Sequence, residues 1–472
     1  MNIKNIVGFS VGPIGLAFLG LISVPMLTWM YPAEDIGRLN ILQMVCSFGM
    51  MVFSLGLDQA YIREYHSSKN RNGLFLICFA PVVFACGCLI PVFIIYGQEL
   101  SSYLFKSNSN RLLLPVVVAV FSTVALRFFT TILRMRNQSW LFSFCQMLNR
   151  IVFIVSCVVT YFFVNAQDFV VLAYMFALGL FIAACLAAWL VRKSLMDSAH
   201  CKIIFKHITL LLRFSLPLVV AGFFYWGLNA TGTLMLSKYS TLAELGVYSV
   251  AFSIGGAATI FQQIFTVVWA PTVYKWVEQG VEVSKFENIM ADVLAVVALL
   301  FCMVGVFSWT LDYFLPSQYA AIKFYVLCAI VPPIFYTLTE ISAIGIGIVK
   351  KTWLSVLATA CALVVSVSLN YVLVPLYGAG GALVSAVLAF TIFLVMKTEL
   401  AIWVWLPIAR FKLYASVLFF ACVAITSIAV SNEWGKLIPL IWLVNLLFST
   451  LVYWKNYKKM TLALLSKFRA SI

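Results

Sequence analysis

The 472-residue chain is 64% hydrophobic, 15% aromatic and only 10% charged, whereas a soluble domain averages about 25% charged residues. At a mean hydropathy of +1.04, it has too few polar side chains to cover a globule in water. A soluble enzyme, a nucleic-acid binder and a disordered chain are excluded, and the net charge of +15 has to be read against a bilayer.

From the N-terminus, fourteen apolar segments are long enough to cross hydrocarbon, each about 20 residues or more. They run over residues 6–31, 39–62, 74–96, 111–134, 142–164 and 168–191, then 211–237, 243–272, 289–314, 320–348, 352–375 and 380–404, and finally 411–430 and 436–454. The last two are the shortest. The first is too long for a signal peptide, and no small-residue cleavage site precedes its closing turn Tyr31-Pro32-Ala33-Glu34. With the N-terminus in the cytoplasm, 23 of the 31 Lys and Arg residues fall in inside connections and tails, among them Lys350, Lys351 and Lys397. Only six fall outside, and Arg127 and Arg150 lie within spans. This bias predicts cytoplasmic N- and C-termini. Eleven of the 13 Trp residues sit near span ends, as in an interfacial belt, and the exceptions are Trp226 and Trp442.

Other chemistry is sparse. All 12 Cys residues except Cys201 lie in spans without C-x-x-C spacing, and His66, His200 and His207 sit in connections. A His-based metal site is not expected. The chain has no phosphate-cradling glycine loop and no connection long enough for a catalytic domain, so neither an enzyme nor a cofactor is predicted.

The chain repeats itself. Ala33-Glu34-Asp35-Ile36-Gly37 opens span 2 and Ala243-Glu244-Leu245-Gly246 opens span 8, their glycines 209 positions apart. Phe9-Ser10 and Phe214-Ser215 are offset by 205, and Trp140 and Trp353 by 213. Six spans per unit make the repeats parallel, with substrate sites expected between the halves. The expected fold is an all-α polytopic membrane protein of about 14 transmembrane helices. It divides into a six-helix bundle over 1–191, a cytoplasmic linker over 192–210, a second bundle over 211–404, and a helix pair with a basic tail over 405–472. Gly12-Pro13, Pro25, Pro217 and Pro332-Pro333 lie inside spans, where proline permits bending.

Lys350-Lys351-Thr352-Trp353, followed by Asn370-Tyr371-Val372-Leu373-Val374-Pro375-Leu376-Tyr377-Gly378-Ala379-Gly380-Gly381-Ala382, resembles the C-terminal half of the polysaccharide-export flippases. Glu34-Asp35-Ile36-Gly37 and Gly56-Leu57-Asp58-Gln59-Ala60-Tyr61-Ile62-Arg63 resemble their N-terminal half. The family lies within the multidrug/oligosaccharidyl-lipid/polysaccharide (MOP) exporter superfamily. The resemblance implies a V-shaped pair of bundles and an alternating-access flippase for undecaprenyl-diphosphate-linked oligosaccharide in the bacterial inner membrane. It also implies H+ or Na+ as coupling ion, and a polysaccharide polymerase and chain-length regulator as partners. Wzx-type O-antigen flippases typically have twelve spans, and the related peptidoglycan-precursor flippases have fourteen.

Ionisable residues in spans mark candidate sites because each is costly in hydrocarbon. Thr123, Arg127, Thr130, Arg134 and Asn137 share one helical face, and Gln146 and Arg150 lie one turn apart. Arg127, Arg150 and Arg134 are the candidates for the cargo diphosphate, because guanidinium matches phosphate oxygens and keeps its charge when desolvated. The alternative is that they pair structurally with Asp58 or Glu340, or snorkel to the interface. Tyr225, Asn229 and Thr233 form a polar face suited to sugar hydroxyls. Glu340, Asp58 and Asp292 are the candidates for ion coupling, and the 213-residue offset sets Glu340 opposite Arg127 in the repeat. A drug/cation antiporter shares the superfamily fold but would favour buried acids, and span 1 has none. A membrane glycan polymerase or ligase would need a larger outside loop than the longest one here, residues 97–110.

Overall fold

The computed structural model describes residues 3–68, 70–107, 109–163, 168–199, 205–279, 283–407, 409–429 and 438–471. Among them every regular element is helical. In chain order these are α1 Ile3–Met30, α2 Ala33–Ser54, α3 Leu57–Glu64, α4 Arg71–Phe105, α5 Leu113–Met135, α6 Ser139–Phe163 and α7 Phe169–Leu190. There follow α8 Arg192–Ala199, α9 Phe205–Tyr239, α10 Leu242–Gly255, α11 Thr259–Glu278, α12 Val283–Phe307 and α13 Leu311–Phe314. The last are α14 Ile322–Ser342, α15 Ile344–Ile348, α16 Trp353–Val404, α17 Phe411–Ala429, α18 Ile438–Val452 and α19 Trp454–Ser471.

Twelve helices among the described residues are long and apolar enough to cross a bilayer. One of them, α16, has 52 residues and is not straight: Gly378 adopts φ 52° and ψ −129°. A Cβ on Gly381 would run into the Leu373 carbonyl, and Leu354 shares an apolar cluster with Ala401 near the far end. The helix therefore doubles back, and its two arms supply the predicted segments 352–375 and 380–404. The segment expected at 436–454 appears as α18, only 15 residues long, and the first residues of that segment lie outside the described ones. The single span expected over 243–272 is divided into α10 and α11 by a 3-10 turn, Gly256–Ala258.

By contact the chain separates into two compact units, Met1–Gly246 and Val247–Ile472. In the first, α6 packs on α1 and α7, α5 on α7 and α2, and α9 on α2, α3 and α4. Small residues let these backbones approach, since lipid offers no hydrophobic drive between helices. Gly8 and Gly12 of α1 lie against Ser139 and Ser143 of α6, and the Ser143 hydroxyl donates to the Gly8 carbonyl at 2.7 Å. The two repeated glycines meet: Gly37 faces the Leu242 carbonyl, and Gly246 faces that of Ala33.

The second unit is built on α14, which packs against α11, α12, α16 and α17 and has most of its residues buried. Trp29, Trp140, Trp189, Trp353, Trp403 and Trp454 are exposed, as side chains at a membrane boundary should be. The two exceptions have packing roles instead. Trp226 donates to Ser47 Oγ at 3.1 Å, and buried Trp442 covers Gly305 and meets Phe301.

Candidate functional site: intramembrane charges

The predicted second span is interrupted where its first candidate acid sits. Leu55 and Gly56 take positive φ, 49° and 66°, and end α2. A side chain at Gly56 would collide with the Ser215 carbonyl of α9. The chain restarts as α3, with Asp58 in its first turn, where the helix dipole favours a carboxylate. Arg127 of α5 donates from Nε to Asp58 Oδ2 at 3.1 Å, and Gln59 Nε2 donates to the same oxygen at 2.9 Å. The Asp58 side chain is only 6% exposed, but that of Arg127 is 40% exposed. The carboxylate is thus enclosed while the guanidinium is partly open. Arg127 lies eight residues before the end of α5, about 12 Å at 1.5 Å per residue.

The rest of that predicted face divides. The Thr123 and Thr130 hydroxyls donate to the Ala119 and Leu126 carbonyls within α5. Asn137, at φ 57°, belongs to the turn that ends the helix. Arg134 is exposed and has no carboxylate partner among the described residues.

Arg150 of α6 has a neutral partner. Its Nη2 donates to Ser23 Oγ of α1 at 2.9 Å, and Ser23 is fully buried. Its guanidinium also lies 5.9 Å from the Phe153 ring centroid. No carboxylate pairs with it among the described residues. On α9, Asn229 is exposed and donates to the Tyr225 carbonyl at 2.8 Å. Thr233 is buried and donates to Asn40 of α2 at 2.9 Å, so it serves packing.

In the second unit, Glu340 of α14 pairs with Lys397 of α16 at 3.7 Å, with side chains 18% and 13% exposed. The Lys397 ammonium also lies 5.7 Å from the Tyr336 ring centroid and 5.2 Å from that of Phe393. The Glu340 carbonyl accepts from Trp269 Nε1 at 3.1 Å. The charge count assigned Lys397 to a cytoplasmic connection; the structure places it inside α16, seven residues before its end. Its position within the predicted segment 380–404 was the signal that could have found it. Asp292 of α12 is held by Asn456 Nδ2 and Lys459 Nζ, both at 2.7 Å. Tyr457 donates beside them to the Ala295 carbonyl at 2.8 Å, and burial pushes its hydroxyl pKa above the ordinary value. This arrangement ties α19 to α12.

Twelve apolar helices among the described residues, with Arg127 and Arg150 inside their spans, define a multi-pass membrane protein. Residues 3–277 match the family described as polysaccharide biosynthesis protein. The chain belongs to that family, and its fold is the one shared by the MOP superfamily. It is similar to the structure "Lipid II flippase MurJ, inward closed conformation", at a TM-score of 0.68 and 13% identity, covering 98% of this chain and 100% of that one. It is also similar to an inward-facing multidrug resistance MATE family transporter of the MOP superfamily, at a TM-score of 0.58 and 14% identity, covering 87% and 98% of the two chains. Set against curated proteins, the sequence has no significant match.

Proposed function

We propose that the chain flips undecaprenyl-diphosphate-linked oligosaccharide, an O-antigen or other surface-polysaccharide repeat unit. The cargo moves from the cytoplasmic to the periplasmic leaflet of the bacterial inner membrane by alternating access between the bundles 1–191 and 211–404. The observation that carries this reading is Arg150, a guanidinium within a span whose side-chain partner is a serine. An intramembrane cation with a neutral partner suits an anionic ligand.

Arg127 complements it. Asp58 engages its Nε, which leaves the two terminal nitrogens for a bidentate grip on phosphate. Asp58 is then a positioning residue, fixing the guanidinium before cargo arrives. Arg134, at the exposed end of the same helix, attracts the diphosphate on entry. Tyr225 and Asn229 meet sugar hydroxyls. Glu340, paired with Lys397, is the group for coupling to H+ or Na+, whereas Asp292 is better explained as the anchor of α19.

Arg127→Ala should cause lipid-linked oligosaccharide to accumulate on the cytoplasmic leaflet, and combining it with Asp58→Asn, which removes the carboxylate left uncompensated, should keep protein levels in the membrane normal. Arg127→Lys should restore export only in part, because a point charge replaces a planar fork. Undiminished surface glycan in Arg127→Ala contradicts the assignment. Deletion of the whole gene that spares surface glycan but sensitises cells to cationic drugs would instead support an antiporter.

A further inference from the structure

A cleft of about 600 Å³ opens in the first unit between the end of α3 and the beginnings of α4 and α9. None of its lining residues belongs to the arginine or glutamate sites above. The apolar spans read from the sequence begin at Leu74 in α4 and Leu211 in α9. Leu74, Ile77, Leu211 and Phe214 therefore form a wall just inside the hydrocarbon boundary, while Arg63, Glu64 and Ser67 line the side beyond it. That is the depth of lipid headgroups.

Among the described residues the polar side carries one charge of each sign, both open to a ligand from solvent. The Arg63 guanidinium lies 4.0 Å from the Phe214 ring centroid. Its ion pair with Glu64 is a single Nε contact at 3.5 Å, longer than the 2.7–2.9 Å of a charge-assisted hydrogen bond. Glu64 accepts one further hydrogen bond, from Ser67 at 2.9 Å. The neighbouring α4 N-terminus is already capped by the Asn70 side chain, which accepts from the Gly73 amide at 2.9 Å. It therefore competes little for an anion.

We infer that this cleft holds a zwitterionic phospholipid bearing a primary ammonium, a phosphoethanolamine headgroup on an acyl glycerol. Its phosphate lies on the terminal nitrogens of Arg63, its ammonium donates to Glu64, and its chain runs along Leu74, Ile77 and Phe214. A choline headgroup has no N–H to donate to Glu64. An anionic glycerol headgroup would set its phosphate beside Glu64 with no cation of its own. The bound lipid wedges α9 against α3 and α4.

The test uses the full chain purified in detergent and native mass spectrometry with equimolar phosphatidylethanolamine and phosphatidylcholine. The wild type should retain the ethanolamine lipid in preference by about tenfold, the ratio that about 1.4 kcal/mol from one charge-assisted hydrogen bond confers. Glu64→Gln should bring the ratio near one, and Glu64→Asp, which keeps the charge, should preserve it. Arg63→Gln should lower retention of both lipids. An unchanged ratio in Glu64→Gln, or phosphatidylglycerol outcompeting phosphatidylethanolamine, would overturn the assignment. Free phosphoethanolamine displacing the lipid at equal concentration would show that the headgroup alone suffices and would overturn the lipid as occupant.

Discussion

Arg127, Arg150 and Glu340 all lie within apolar spans, and each charge is compensated differently. Arg127 meets an enclosed carboxylate, Arg150 a serine, and Glu340 a lysine bordered by aromatic rings. Removing one member of a buried pair leaves the other uncompensated, at a cost of about 3–5 kcal/mol. Lys397→Met should therefore lower the thermal unfolding midpoint in detergent, and the double variant Glu340→Gln/Lys397→Met should recover most of the loss. Equal midpoints for the single and double variants would show the pair to be uncoupled. If Glu340 also carries the coupling ion, Glu340→Gln in vesicles with an imposed proton gradient should still bind cargo but lose gradient-driven flipping. An unchanged response would remove it from the mechanism.

The charged residues themselves were legible in the sequence, because a lone arginine in an apolar run stands out at once. Of their partners only Asp58 was among the alternatives, as one of two acids that could pair with an arginine; Ser23 and Lys397 were not. Asp58 and Arg127 are 69 positions apart, Ser23 and Arg150 are 127 apart, and only tertiary packing brings them together. The repeat offset that set Glu340 opposite Arg127 relates positions by sequence and says nothing of which side chains touch. Each of the two has a partner within its own unit.

At the scale of elements, hydropathy located the helices well but was blind to breaks within them. The turn between 375 and 380 was visible because Tyr377-Gly378-Ala379-Gly380-Gly381 combines small residues with an upstream Pro375. The break at Leu55-Gly56 was missed, since the apolar pattern runs through it and only one glycine marks it. The same backbone geometry gives a prediction. Gly378 holds φ 52° and ψ −129°, a conformation that costs a residue with a Cβ about 1–3 kcal/mol. Gly378→Ala should destabilise the purified protein by that amount in thermal unfolding, whereas Gly87→Ala, where an added Cβ meets nothing within 4 Å, should cost little. Equal effects at the two positions would mean that the α16 hairpin does not depend on its glycine.

For the molecule as a whole, composition sufficed to establish a multi-pass membrane protein. The family match over residues 3–277 spans the Glu34–Gly37 and Gly56–Arg63 motifs of the resemblance, while Asn370–Ala382 lies beyond it and only the fold extends over that part. Cargo chemistry rests on a smaller set of residues, Arg127 and Arg150 above all. The most direct test is flipping by the purified chain in proteoliposomes loaded with undecaprenyl-diphosphate-linked oligosaccharide, with arrival at the outer leaflet read by an impermeant glycosidase. The account predicts that the wild type makes the internal pool accessible to the enzyme and that Arg127→Ala/Arg150→Ala does so no faster than protein-free vesicles. Transfer by the double variant at the wild-type rate, or none by the wild type, would contradict it.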